Sequence, residues 1–136
     1  MDDSHRAGES MDGGLRFSLS AALSKQYALD QREFLAMLAL MVESAMPEMT
    51  EVDRRGSLFA KKRVRRVTVT FGENRYSLED PGRGPLEAKR TRVVRGIALK
   101  TEPMTVPEWV AEFGAAMENE VDRNEAARDA LSRFGI

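Results

Sequence analysis

Residues 34–42 read Phe-Leu-Ala-Met-Leu-Ala-Leu-Met-Val, nine apolar side chains in a row, and how they are buried decides the fold. The run falls well short of the ~20 residues a membrane-spanning helix needs. Asp30 precedes it and Glu33 follows three residues on, the spacing with which polar side chains close a first helical turn. Pro47 drives the residue before it out of helical geometry. The spacing therefore predicts a helix from Gln31 to about Ala45. A helix that is apolar on every side needs two covering surfaces. One is a sheet of the same chain. The other is either more of this chain or a second copy. The expectation carried forward is a homodimer, with Phe34, Met37, Leu38 and Met41 at its interface.

Downstream the period changes. Val67, Val69 and Phe71 alternate with Arg66, Thr68 and Thr70, the two-residue repeat of a strand with one wet face. Gly72-Glu73-Asn74 supplies a turn, and Tyr76 and Leu78 resume the alternation against Arg75 and Ser77, which reads as a hairpin. A longer turn follows at Asp80-Pro81-Gly82-Arg83-Gly84-Pro85. Residues Leu86 to Thr101 read as one long strand with Val93, Ile97 and Leu99 on one face. Leu86 and Ala88 have the opposite parity, so a bulge is expected near Arg90 to Arg92. A weaker strand signal covers Ser57 to Lys61.

The last helix opens at Thr105-Val106-Pro107-Glu108, with a capping threonine and an early proline. Trp109, Phe113, Ala116, Ala127, Leu131 and Phe134 form one apolar stripe, which Glu120 and Asn124 interrupt. Either the helix breaks near Asp122 or Glu120 meets a cation in the core. Arg95 shares parity with Val93, Ile97 and Leu99, so an Arg95–Glu120 ion pair is expected between sheet and helix, with Arg65 as the alternative cation and solvation of both groups at the layer's rim as the competing reading. A buried pair is tolerable where either charge alone is costly.

At the other end, Leu19 to Tyr27 reads as two helical turns. Residues 1–14 hold three glycines and four acids, and their composition predicts a disordered acidic tail before a single α+β domain at 15–136. The order of elements gives a two-layer α+β fold: an antiparallel three- to four-stranded meander, with N-terminal and C-terminal helices on one face.

The residue inventory limits the chemistry. The 136 residues include no cysteine and one histidine, His5, which falls in the expected tail. A general base must be held in fixed geometry, and a zinc site of familiar type needs cysteine or ordered histidine ligands. Gly82-Arg83-Gly84 joins two strands and so lacks the helix N-terminus a phosphate loop uses. No enzymatic activity, metal or cofactor is expected. The N-terminal segment has none of the basic and apolar sections of a signal peptide, and the expected compartment is the cytoplasm.

Charge is distributed unevenly. Residues 51–100 hold fourteen Lys and Arg against six acids, whereas the flanking segments are acidic and the whole chain sums to −1. Arg63, Arg65, Arg66, Arg75, Lys89, Arg90 and Arg92 are the candidate residues of a cationic sheet face able to bind nucleic acid or another polyanion. The competing reading is that acidic helices neutralise a basic sheet within the molecule. The expected function is therefore a non-enzymatic protein-interaction domain, adaptor or chaperone-like, with polyanion binding as the alternative.

Overall fold

In the computed structural model, which describes residues 19–56 and 62–135, a carboxylate starts the helix that the apolar run requires. Asp30 Oδ1 accepts from the backbone N–H of Glu33 at 3.2 Å, and helix α2 runs Gln31–Ala45. It is preceded by a helix at residues 19–29, α1. Beyond α2, Pro47–Met49 makes one tight 3-10 turn, and the Thr50 hydroxyl donates to the carbonyl of Met46 at 2.7 Å. That bond satisfies one of the carbonyls left open at the helix end and turns the chain into the sheet.

Five antiparallel strands follow: β1 Thr50–Arg55, β2 Arg63–Phe71, β3 Asn74–Glu79, β4 Glu87–Val94 and β5 Ile97–Met104. They lie side by side in chain order, a simple meander. Helices α3, Val106–Arg123, and α4, Glu125–Ser132, close the chain. The α+β class and antiparallel sheet are as expected, but the strand count and two boundaries differ.

One difference is β1. Thr50 and Val52 face Val69 and Val67 across the ladder, which gives this charged segment a half-buried side. The weak strand signal at 57–61 lies outside the described residues, as does the expected tail. The other difference is the segment read as one long strand. Arg95 and Gly96 adopt φ of 52° and 80°, a two-residue turn that folds 87–104 into a hairpin. Two consecutive residues at positive φ match the twist of the flanking strands. The reversal removes the expected parity: Ile97 and Leu99 are 64% and 60% exposed rather than in the core.

The core lies between the sheet and the helices. Val67, Val69, Tyr76, Leu78 and Ala88 point inward from the strands, against Phe34, Leu38, Met41 and Val42 of α2 and Trp109, Phe113 and Met117 of α3. Helix α2 rests on β2 and β1 with one side and on α4 with another, so the second cover is the chain's own. α4 reaches that place because the helical run breaks at Asn124, whose side chain accepts from the N–H of Ala127 at 3.2 Å. The break re-aims Ala127, Ala130 and Leu131 into the core and leaves Phe134 partly exposed, outside the expected stripe. Among the described residues no helix is long and apolar enough to cross a membrane.

α1 crosses α3 where Gly114 permits it. A Cβ there would lie 2.7 Å from Ser20 Oγ and 2.9 Å from Ser20 Cα, and the Ser20 hydroxyl donates to the carbonyl of Ala111 at 3.2 Å. Because backbone as well as side chain is in the way, relief needs a helix shift. Gly114→Ala is expected to lose ~1–2 kcal/mol, overpacking outweighing the gain in helix propensity. Gly114→Val should lose more, and adding Ser20→Ala should not restore stability. Urea denaturation midpoints check all three.

Candidate interaction surface

The residues that join α3 to the sheet define what remains for the outside. Trp109 is 1% exposed and stacks on Phe113 with ring centroids 4.8 Å apart and planes 3° from parallel. Tyr76 meets both rings edge-on, and Trp109 Nε1 donates to the carbonyl of Lys89 at 3.2 Å. Offset and edge-on aromatic pairs add specific geometry to large apolar burial. Above them, the Tyr76 hydroxyl donates to Glu112 Oε1 at 3.2 Å, and Arg90 bonds the same oxygen. Arg90 Nη2 also donates to Glu102 at 2.7 Å, and Lys100 lies 3.2 Å from that same carboxylate. The network is a strap between β3, β4, β5 and α3.

This arrangement reassigns the candidate cations. Arg90 lies on the helix side of the sheet, between two carboxylates, and both hold its guanidinium charged. Arg65 is half-buried under the 80–85 turn, where Nη2 donates to the carbonyl of Pro81 at 3.2 Å. Its Nε is buried with no hydrogen-bond partner among the described residues. Arg92 is exposed and 3.5 Å from Glu73. Arg63 is exposed at the start of β2 and has no ion pair among the described residues. Four of the seven, Arg63, Arg66, Arg75 and Lys89, share the face turned away from the helices, Arg63 because the bulge after Asp53 sets it opposite Arg55.

That face is close to balanced in charge. The strand register sets Asp53, Arg66, Glu79 and Glu87 in one row, Glu51, Thr68, Ser77 and Lys89 in a second, and Thr70, Arg75, Thr91 and Thr101 in a third. Those rows hold four carboxylates and three cations, the Arg55–Arg63 pair at the edge adds two more cations, and Arg66 stands 3.8 Å from Asp53 and 3.7 Å from Glu79. Alternation placed the cations on this side, but it placed acids there as well. The seven expected residues do not converge.

Most of the residues expected at a dimer interface lie inside the chain. Phe34, Leu38 and Met41 are 2%, 0% and 0% exposed inside their own chain. Met37 is partly buried against the same core. α4 supplies cover that a second copy was expected to supply, which leaves Phe34, Leu38 and Met41 no free surface for self-association, while Leu40 on the same helix is 57% exposed. Arg95 and Glu120 do not pair: Arg95 forms the hairpin turn, and Glu120 lies 3.2 Å from Arg123 one helical turn away.

Turning the 87–104 segment into a hairpin creates a surface the sequence reading missed. β3 begins at Asn74, opposite Arg92, so β4 and β5 continue past it as a two-stranded overhang. Residues 95–101 are exposed throughout, and Ile97-Ala98-Leu99 is an apolar run standing in solvent. Arg92, Arg95 and Lys100 surround it. The signal was the Arg95-Gly96 dipeptide, a turn whose first residue is outside the usual Asn, Asp and Gly set.

Burial, and after it the Glu112 carboxylate, push the Tyr76 hydroxyl up to about 12. In the unfolded chain it ionises near ~10. The folded state therefore binds more protons between those values, and stability falls as pH rises from about 10 through about 12. Tyr76→Phe is expected to flatten that fall, measured as Tm against pH, and to remove the latest phenolate component of an ultraviolet titration. Compared with family models, with curated proteins and with solved structures, the chain matches none.

Proposed function

We propose that the chain is a non-enzymatic interaction domain that binds another protein through the β4–β5 overhang. The observation that carries this reading is the exposure of Ile97 and Leu99, 64% and 60%, on an arm that contributes little to the core. Exposed apolar side chains scattered singly are ordinary. Here two large ones and an alanine are consecutive on an edge strand, and the fold does not use them. Burying a large aliphatic side chain is worth ~1.5–3 kcal/mol, so a partner covering both gains enough for a specific contact.

The mode of contact follows from the backbone. β5 is an edge strand, but the ladder shifts register at Arg92/Val93, and Pro103 lacks a donor. Bulges, edge lysines and prolines discourage strand addition. Recognition is accordingly by side chains rather than by extending the sheet.

The test compares wild type with the double variant Ile97→Ser, Leu99→Ser. Because both sites are exposed, thermal stability should change little. Capture from the native cell on immobilised protein, followed by reconstitution with the purified captured protein, should show at least ~10-fold weaker binding by the variant, equivalent to ~1.4 kcal/mol. Identical capture and affinity for the two proteins would refute the assignment. Retention on heparin that persists above ~0.2 M salt would instead favour the polyanion alternative.

A further inference from the structure

The turn at the tip of the overhang points to what the partner is made of. Arg95 stands at φ 52°, in the left-handed region, with Gly96 behind it at 80°. A residue with a Cβ is disfavoured there, and glycine or asparagine would fit with less strain. Arg95 is exposed and has no hydrogen bond or ion pair among the described residues. Nothing among the described residues offsets the cost of placing it at this position. Its cationic neighbours are already engaged, Arg92 by Glu73 at 3.5 Å and Lys100 by Glu102 at 3.2 Å. Arg95 is thus the uncompensated charge of the tip, next in the chain to the exposed Ile97 and Leu99.

We propose that the overhang recognises an acidic, apolar segment of a partner protein, Arg95 taking a carboxylate while Ile97 and Leu99 cover the aliphatic side chains beside it. This rests on the protein-binding reading and adds the partner's chemistry. A guanidinium presents a planar fork that matches a carboxylate with two parallel bonds. A bilayer is the less favoured occupant. The tip carries no aromatic side chain of the kind enriched at membrane interfaces, and Glu73, paired with Arg92 at the base of the overhang, is an acid that an anionic surface would repel.

The experiment uses the full chain and a fluorescently labelled peptide of alternating Glu and Leu, with Gln–Leu and Lys–Leu peptides for comparison. Wild type should bind the Glu–Leu peptide, several-fold more weakly at about 0.5 M than at about 0.05 M salt, as screening requires. Arg95→Gly should bind it about 10-fold more weakly while its Tm rises, because glycine relieves the turn. Arg95→Lys should retain part of the binding. A merely structural role for Arg95 would not give weaker binding together with higher Tm. Equal binding of the Gln–Leu peptide, no binding of the Glu–Leu peptide, or Arg95-dependent binding to phosphatidylglycerol vesicles would each overturn the proposal. If the captured protein depends on Ile97 and Leu99 but not on Arg95, the acidic-segment proposal falls and the protein-binding reading stands. If it depends on none of the three, both fall.

Discussion

The whole architecture answers to one requirement, that a helix apolar on all sides be kept from water on more than one side. α2 achieves this between the sheet beneath it and α4 beside it. The sheet follows α2 directly, but the second cover comes from the C-terminal helix, so the N-terminal half does not bury α2 on that side without those residues. The break at Asn124 is what makes the second cover possible. A continuous helix would have carried Ala127 and Leu131 along the axis of α3, with Glu120 in the same stripe. By capping a new helix, Asn124 lets the chain change direction and removes that conflict. The homodimer expected through α2 was an answer to the same requirement, and the chain supplies its own.

A second constraint is electrostatic. The basic middle and acidic ends of the chain meet across the layers: Glu43 of α2 holds Arg54 of β1 at 2.5 Å, and Glu112 of α3 holds Arg90 of β4. These groups are a third or so exposed, so each pair adds modestly to stability. Their larger consequence is that the sheet's cations are not left as a field. On the open face, interleaved acids do the same. Part of the uneven charge of the sequence is thus paired within the fold, while Arg63, Arg75, Lys89 and Arg95 carry no ion pair among the described residues.

The arm is the place where local preference and the rest of the fold disagree. An arginine sits where a turn favours glycine, and aliphatic side chains stand where a solvated edge favours polar ones. At the helix termini the two levels agree: Asp30 and Thr105 cap their helices, and prolines sit beside the ends, although Leu29 and Leu40 are exposed as well. Local conflict at an otherwise consistent fold is where function is expected to reside.

Features set by near neighbours were legible in the sequence. Caps, proline boundaries and two-residue alternation act over a few residues, and they give α2, the cap of α3, β2, β3 and the α+β class. The Arg95-Gly96 turn was not legible, because its signal is a backbone conformation that arginine rarely adopts, and the apolar alternation runs through it. Which residues meet across the layers was not legible either. Parity assigns a side chain to a face but not the charge of the neighbour it finds there, so a face read as basic proved balanced. Only the tertiary structure decided that Phe34, Leu38 and Met41 are covered by their own chain while Ile97 and Leu99 are not. Burial depends on what arrives from far along the chain, and composition does not record that.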